Sequence, residues 1–143
     1  MYEYTGAEGE FVPDIGDHLG QWTNELNPGE HITHFVSSGP KSYSYKTSTG
    51  RSVVKLKGFT LNHENSQRLN FESIRRLVLF WADPDNNALT EEENPYVQAR
   101  YSKICRDKKR FLLYNREELK KYRVTYDKRQ LIQGTYDTIP FGY

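Results

Sequence analysis

Apolar and polar positions alternate unevenly along the chain, and the stretches where they become regular mark its elements. Residues 1–28 show little regularity. Gly6, Gly9, Pro13, Gly16, Gly20 and the Pro28-Gly29 pair punctuate this stretch, which reads as an approach segment with one short helix or turn near residues 19–26. At residues 31–37 the pattern changes. Ile32, His34 and Val36 fall on one face and Thr33 and Phe35 on the other, a period-2 strand that Gly39-Pro40 ends. Residues 41–47 and 51–57 are two further strand-like runs around Ser48-Thr49-Gly50, which reads as a hairpin connection. In the second run Ser52, Val54 and Leu56 share one face. Burying Val54 and Leu56 therefore projects Lys55 and Lys57 together from the other.

The period then shifts to that of a helix. Phe71, Ile74, Leu77, Val78 and Trp81 form one apolar stripe, with Arg75 and Arg76 off it. Asn70 suits the N-cap, Glu72 suits the positive end of the helix, and Asp83-Pro84 stops it, so the main helix is predicted over 70–81. Residues 83–95, acidic and rich in Asn and Pro, read as a loop. Beyond them β-structure resumes. Residues 111–114 are an apolar run, and Tyr122, Val124 and Tyr126 alternate with Arg123, Thr125 and Asp127. Arg106-Asp107-Lys108-Lys109-Arg110 and a turn at 133–137 around Gly134 lie between the strands. The predicted fold class is α+β, mainly antiparallel β-hairpins with one main helix.

Composition narrows the picture. The chain has 143 residues, enough for one domain or one compact piece of a larger one. Its mean hydropathy is −0.86, so its core is thin. Its 11 tyrosines supply buriable area that the aliphatic residues do not. No apolar run is long enough to span a membrane, and the acidic start lacks the apolar segment of a signal peptide. The single cysteine, Cys105, permits no disulfide within the chain and no cysteine-based zinc site, which fits a reducing, intracellular setting. The net charge of +1 conceals blocks: residues 1–40 carry −7, 41–76 carry +6, 77–100 carry −4 and 101–143 carry +6. Two basic blocks separated by acidic spacers suggest a polyanion touched at two places.

Catalytic chemistry finds little support. Cys105 sits among Lys103, Arg106, Lys108 and Lys109, which favour a thiolate, but no His neighbours it in sequence. His31 and His34 are spaced for opposite faces of a strand, His18 and His63 stand alone, and Asp14 and Asp17 read as turn acids. Phosphate-cradling glycine loops are absent. Nucleic-acid contact fits better. In an extended strand Lys41, Tyr43 and Tyr45 point the same way, each about 7 Å from the next, near the phosphate repeat of one DNA strand. The alternative is that both tyrosines fill the face of a small sheet.

The blocks GPKSYSYKT, KLKGFTLN, LNFESIRRLV, YRVTYDKR and TIPFGY, in that order, resemble the C-terminal part of protein-primed family B DNA polymerases. The likeness is to those of Polinton/Maverick-type transposable elements and related viral or organellar elements. The upstream LGQWTNEL looks like the segment that follows the palm's catalytic strand. The resemblance implies a palm edge at residues 1–57 and a thumb at 58–143. It assigns primer-terminus binding to Lys41 and Tyr43, with Tyr45 beside them. Duplex contacts fall to Lys55, Lys57, Arg75, Arg76, Lys108, Lys109, Arg110, Lys128 and Arg129. It also implies primer–template DNA, deoxynucleoside triphosphates and a terminal priming protein as partners of the parent enzyme, in nucleus, mitochondrion or virus, with no membrane partner. The parent reaction needs Mg2+ held by two palm aspartates, in Asp-x-x-Ser-Leu-Tyr-Pro and Tyr-x-Asp-Thr-Asp blocks that this chain lacks. The chain is thus expected to be a fragment, beginning after the catalytic strand and inactive alone, with no catalytic or metal-binding residue of its own. Asp14 and Asp17 are not substitutes. The rival readings are a small β-rich protein-interaction module and a non-functional remnant of a mobile element.

Overall fold

The structure, a computed structural model, describes residues 5–83, 95–124, 129–132, 134–135, 137–140 and 142. Most of the expected 83–95 loop therefore lies outside the described residues, as do Thr125, Tyr126, Asp127, Lys128, Phe141 and Tyr143.

The described elements run β1 (Ile32–Gly39), β2 (Ser42–Thr47), β3 (Ser52–Lys55), α1 (His63–Arg68), α2 (Phe71–Ala82), β4 (Val97–Asp107), β5 (Leu112–Tyr122), β6 (Arg129–Leu131) and β7 (Thr138–Pro140). The fold is α+β with antiparallel hairpins: a three-stranded sheet ordered β1-β2-β3 and two two-stranded ribbons, β4-β5 and β6-β7. The chain divides into two compact units, 1–31 and 32–143.

Within the first unit the expected helix or turn is a turn. The Gln21 amide donates to the His18 carbonyl at 3.0 Å, and Ile15 and Trp22 form an isolated parallel bridge. The Gln21 side chain lies close over Gly16, and its Oε1 accepts from the His18 amide at 3.0 Å.

The second unit is built on one helix and one sheet face. Asn70 caps α2 as expected: its side chain accepts from the Ser73 amide at 3.0 Å, and the Ser73 hydroxyl accepts from the Asn70 amide at 3.0 Å. The apolar stripe is then buried. Phe71, Ile74 and Leu77, with Leu69 just before the helix, pack with Val36 of β1, Leu56 beyond β3 and Ala99, Tyr122 and Val124 from the β4–β5 region. Along the β1–β2–β3 rungs, Val36 pairs with Ser44 and Ser44 with Val54, which places these three on one face. Toward the other end of that face the His34 ring meets the Phe71 ring edge-on at 6.2 Å, and the Lys46 ammonium lies 4.8 Å over it. Lys46 also pairs with Glu72 and holds that carboxyl below its ordinary range by hydrogen bond and charge. The 57/58 boundary expected from the resemblance runs through this core, with Leu56 on one side and Leu69, Ile74 and Tyr122 on the other.

The expected main helix is α2, and among the described residues a second, shorter helix precedes it. α1 escapes periodicity because its sequence, HENSQR, has no apolar stripe. It is held instead by Asn62, whose side chain accepts from the Asn65 amide at 2.8 Å, and by Asn65 itself. The buried Asn65 amide group donates to the Thr60 carbonyl (2.9 Å) and the Arg100 carbonyl (2.7 Å), and its Oδ1 accepts from the Arg100 amide at 3.0 Å. This side chain pairs with β4 as a neighbouring strand would.

The β4–β5 ribbon is tied to the sheet by Tyr122. Its hydroxyl is buried against Ser38 Oγ of β1. The Ser38 hydroxyl donates to the Ser42 carbonyl at 3.3 Å, and the Phe59 ring stands edge-on to the Tyr122 ring at 5.3 Å.

Two outcomes follow. Ile74 is 0% exposed, so Ile74→Ala should lower unfolding free energy by about 2–5 kcal/mol in denaturant titration. Burial pushes the Tyr122 phenol up from its ordinary value, against the opposing Ser38 and Ser42 hydrogen bonds. Folding thus favours the neutral phenol, whose contribution is complete below pH about 10 and is lost as pH climbs through the raised value. Unfolding curves from pH 8 to 11 should show the wild type losing more stability above that point than Tyr122→Phe.

Candidate nucleic-acid interface

The sheet gathers basic residues at one end. Lys41 does not belong to β2. It occupies the β1–β2 turn in the left-handed region, φ 56°, after Gly39 at φ 132°. The period-2 alignment of Lys41 with Tyr43 and Tyr45 therefore fails, because a left-handed residue rotates its Cβ out of the strand's alternation. Lys41 is nevertheless exposed and adjoins Ser42, whose hydroxyl accepts the Lys57 amide at 3.2 Å. Tyr43 pairs with Lys55 in the last rung of β2–β3, and the Lys57 amide meets Ser42 just beyond it. Lys120 reaches the same end: its ammonium donates to the Gly58 carbonyl at 3.1 Å and lies 3.9 Å over the Tyr101 ring. Lysines from three segments, the β1–β2 turn, residues 55–57 and β5, thus lie at this end of the sheet, three of the four expected from the sequence. The fourth, Lys120, carries no local signal, because only the docking of β5 against residues 56–59 places it there.

Tyr43 and Tyr45 do share a face. Their rings stack at 6.4 Å and 11°, and Phe35 stacks on Tyr43 at 5.9 Å and 25°. Tyr45 is only 4% exposed and fills the sheet, whereas Tyr43 is half-buried beside Lys55.

The remaining basic residues lie elsewhere. Arg75 and Arg76 are exposed on α2, off its buried stripe. Arg75 lines a cavity of about 910 Å³ with His34, Phe71, Leu79, Arg129 and Asp137. The Arg129 guanidinium is engaged within its own hairpin, donating to Thr138 Oγ1 and to the Thr138 carbonyl, both at 2.5 Å.

Lys108, Lys109 and Arg110 form the turn of the β4–β5 ribbon, which is paired without interruption over eleven rungs, from Val97↔Tyr122 to Asp107↔Leu112. The turn is organised by Asp107, whose Oδ1 accepts the Lys109 amide at 2.8 Å and the Arg110 amide at 3.1 Å. Farther down the ribbon Glu118 pairs with Lys103 (3.2 Å) and Arg116 (2.8 Å). The Lys103 hydrogen bond and charge hold its carboxyl below the ordinary range.

Among the described residues no group of three or more His, Cys, Asp or Glu side chains is placed to hold a metal ion. Cys105 is half-buried opposite Tyr114. The chain matches no protein-family profile, and comparison with curated proteins and with solved structures likewise finds no match.

Lys41 carries a backbone conformation that costs an L-residue about 1–2 kcal/mol and costs glycine little. Lys41→Gly should therefore leave the melting midpoint unchanged or raise it, a result read directly by calorimetry, while Tyr43→Gly in the strand should lower it.

Proposed function

We propose that the chain grips primer–template DNA, as the palm edge and thumb of a protein-primed family B polymerase. The observation that carries this reading is the placement of Lys41, Lys55, Lys57 and Lys120 at one end of the sheet, with Lys55 paired to Tyr43. Lysines gathered at one end of a sheet attract a phosphate backbone, and the half-buried Tyr43 phenol offers a hydroxyl to the same backbone. Such contacts position a duplex without reading its sequence. The second basic site, at the turn of the β4–β5 ribbon, supplies the separate touch that the charge blocks suggest. Template-directed nucleotide addition with pyrophosphate release would be performed by aspartates and Mg2+ of the parent enzyme, outside the residues described.

A protein-interaction module is the second reading. The exposure of Ile104, Phe111, Leu112, Leu113 and Leu119 on one ribbon favours it.

Binding to a primer–template duplex should weaken steeply with salt, with a log–log slope close to one per phosphate neutralised. Lys41→Gly should reduce that slope by about one unit without loss of fold. Equal slopes for the two proteins across a salt series would overturn the role of Lys41, and no binding at low salt would favour the interaction module. Purified chain with Mg2+ and deoxynucleotides should show no primer extension.

A further inference from the structure

The β4–β5 ribbon has a tip that folding alone does not explain. Beyond Ala99 and up to Lys121 no residue of the ribbon is buried, and from Tyr101 to Asp107 it extends about 20 Å. At its end Phe111 is 75% exposed and held at φ 56°. A bulky aromatic in the left-handed region is strained, and this one recovers little by burial. Leu112 and Leu113, paired with Asp107 and Arg106, point to opposite faces just behind it, and both are exposed. Three contiguous apolar side chains thus crown a narrow turn, against the ordinary preference for glycine or asparagine at such a position. The Arg106 guanidinium lies 5.8 Å from the Phe111 ring and couples charge to the apolar point.

Charge identifies the occupant. Residues 97–122 contain nine bases and three acids, a net +6, distributed from Arg100 near the root to Arg110 at the tip. An anionic lipid surface would meet only the tip. A long polyanion would meet the whole ribbon.

We propose that the tip is a wedge for duplex DNA: the ribbon lies along the phosphates and Phe111, backed by Leu112 and Leu113, enters between base steps and bends the duplex. This rests on the DNA-gripping reading and adds a mode of contact to it. Apolar wedges flanked by cations unstack base steps and kink DNA, and the energy of unstacking is recovered in the added contact.

Fluorescence transfer between the ends of a labelled duplex, titrated with the full chain at low salt, tests it. The wild type should raise transfer. Phe111→Gly relieves the strained backbone, so it should fold at least as well, bind about tenfold more weakly, as expected for losing one buried apolar side chain, and abolish the rise in transfer. Leu119→Ser, exposed at the root, should bend as the wild type does. Binding without a rise in transfer, or an equal rise with Phe111→Gly, would overturn the wedge and leave the grip standing. Absence of binding by the wild type at low salt would overturn both. Vesicles containing anionic lipid give the third arm: Phe111-dependent partition onto them, with duplex bending unaffected by Phe111→Gly, would reassign the tip to a membrane surface.

Discussion

The buried hydroxyl of Tyr122 is the interaction on which the arrangement of the larger unit depends. It joins the last residue of β5 to Ser38 of β1, whose hydroxyl also reaches the Ser42 carbonyl of β2, and all three residues are buried. A buried hydroxyl without a partner costs about 1–3 kcal/mol, and the Tyr122 hydroxyl finds its partner only when ribbon and sheet meet in one register, whereas Ser38 and Ser42 also bond within the sheet. That register has a chemical consequence. Ser42 also accepts the Lys57 amide, and β5 delivers Lys120 to Gly58, so the junction that fixes the ribbon also assembles the lysines.

Only two non-glycine residues of the described chain have positive φ, Lys41 and Phe111, and each sits at the turn of a hairpin with its side chain exposed. Glycine would be the unstrained choice at both. Strain tolerated for a side chain that packs against little is better accounted for by what the side chain meets outside the molecule. The two positions lie beside basic residues, one at the end of the sheet and one at the tip of the ribbon, and the proposed grip on DNA uses both.

The thin core shapes what remains. One sheet face and one helix stripe account for most of the buried apolar residues, and the ribbon adds only its root, at Ala99 and Tyr122. The outer rungs are stabilised by pairing, by the Glu118 ion pairs and by the Asp107 turn rather than by burial. The ribbon therefore carries exposed apolar residues without collapsing onto the core, and this same exposure keeps the protein-interaction reading in play beside DNA gripping.

Local pattern determined much of this protein. The Asn70 cap and the stripe from Phe71 to Trp81 define the main helix. The alternation around Val54 and Leu56, and the breaks at Gly39-Pro40 and Ser48-Thr49-Gly50, define the sheet's hairpins, because helical and strand periods are properties of neighbouring residues. The polar helix α1 was not legible, since its anchor is Asn65 bonding Arg100, far away in sequence. Nor was the left-handed state of Lys41, which lifts it out of line with Tyr43, whereas the burial of Tyr45 is the sheet-filling alternative that the sequence already offered. Lys120 joined the lysine group only through the docking of β5. Charge and period are written residue by residue. Which charges become neighbours, and which turn residues bear strain, follows from strand register and a buried hydroxyl junction, and these exist only once distant segments have met.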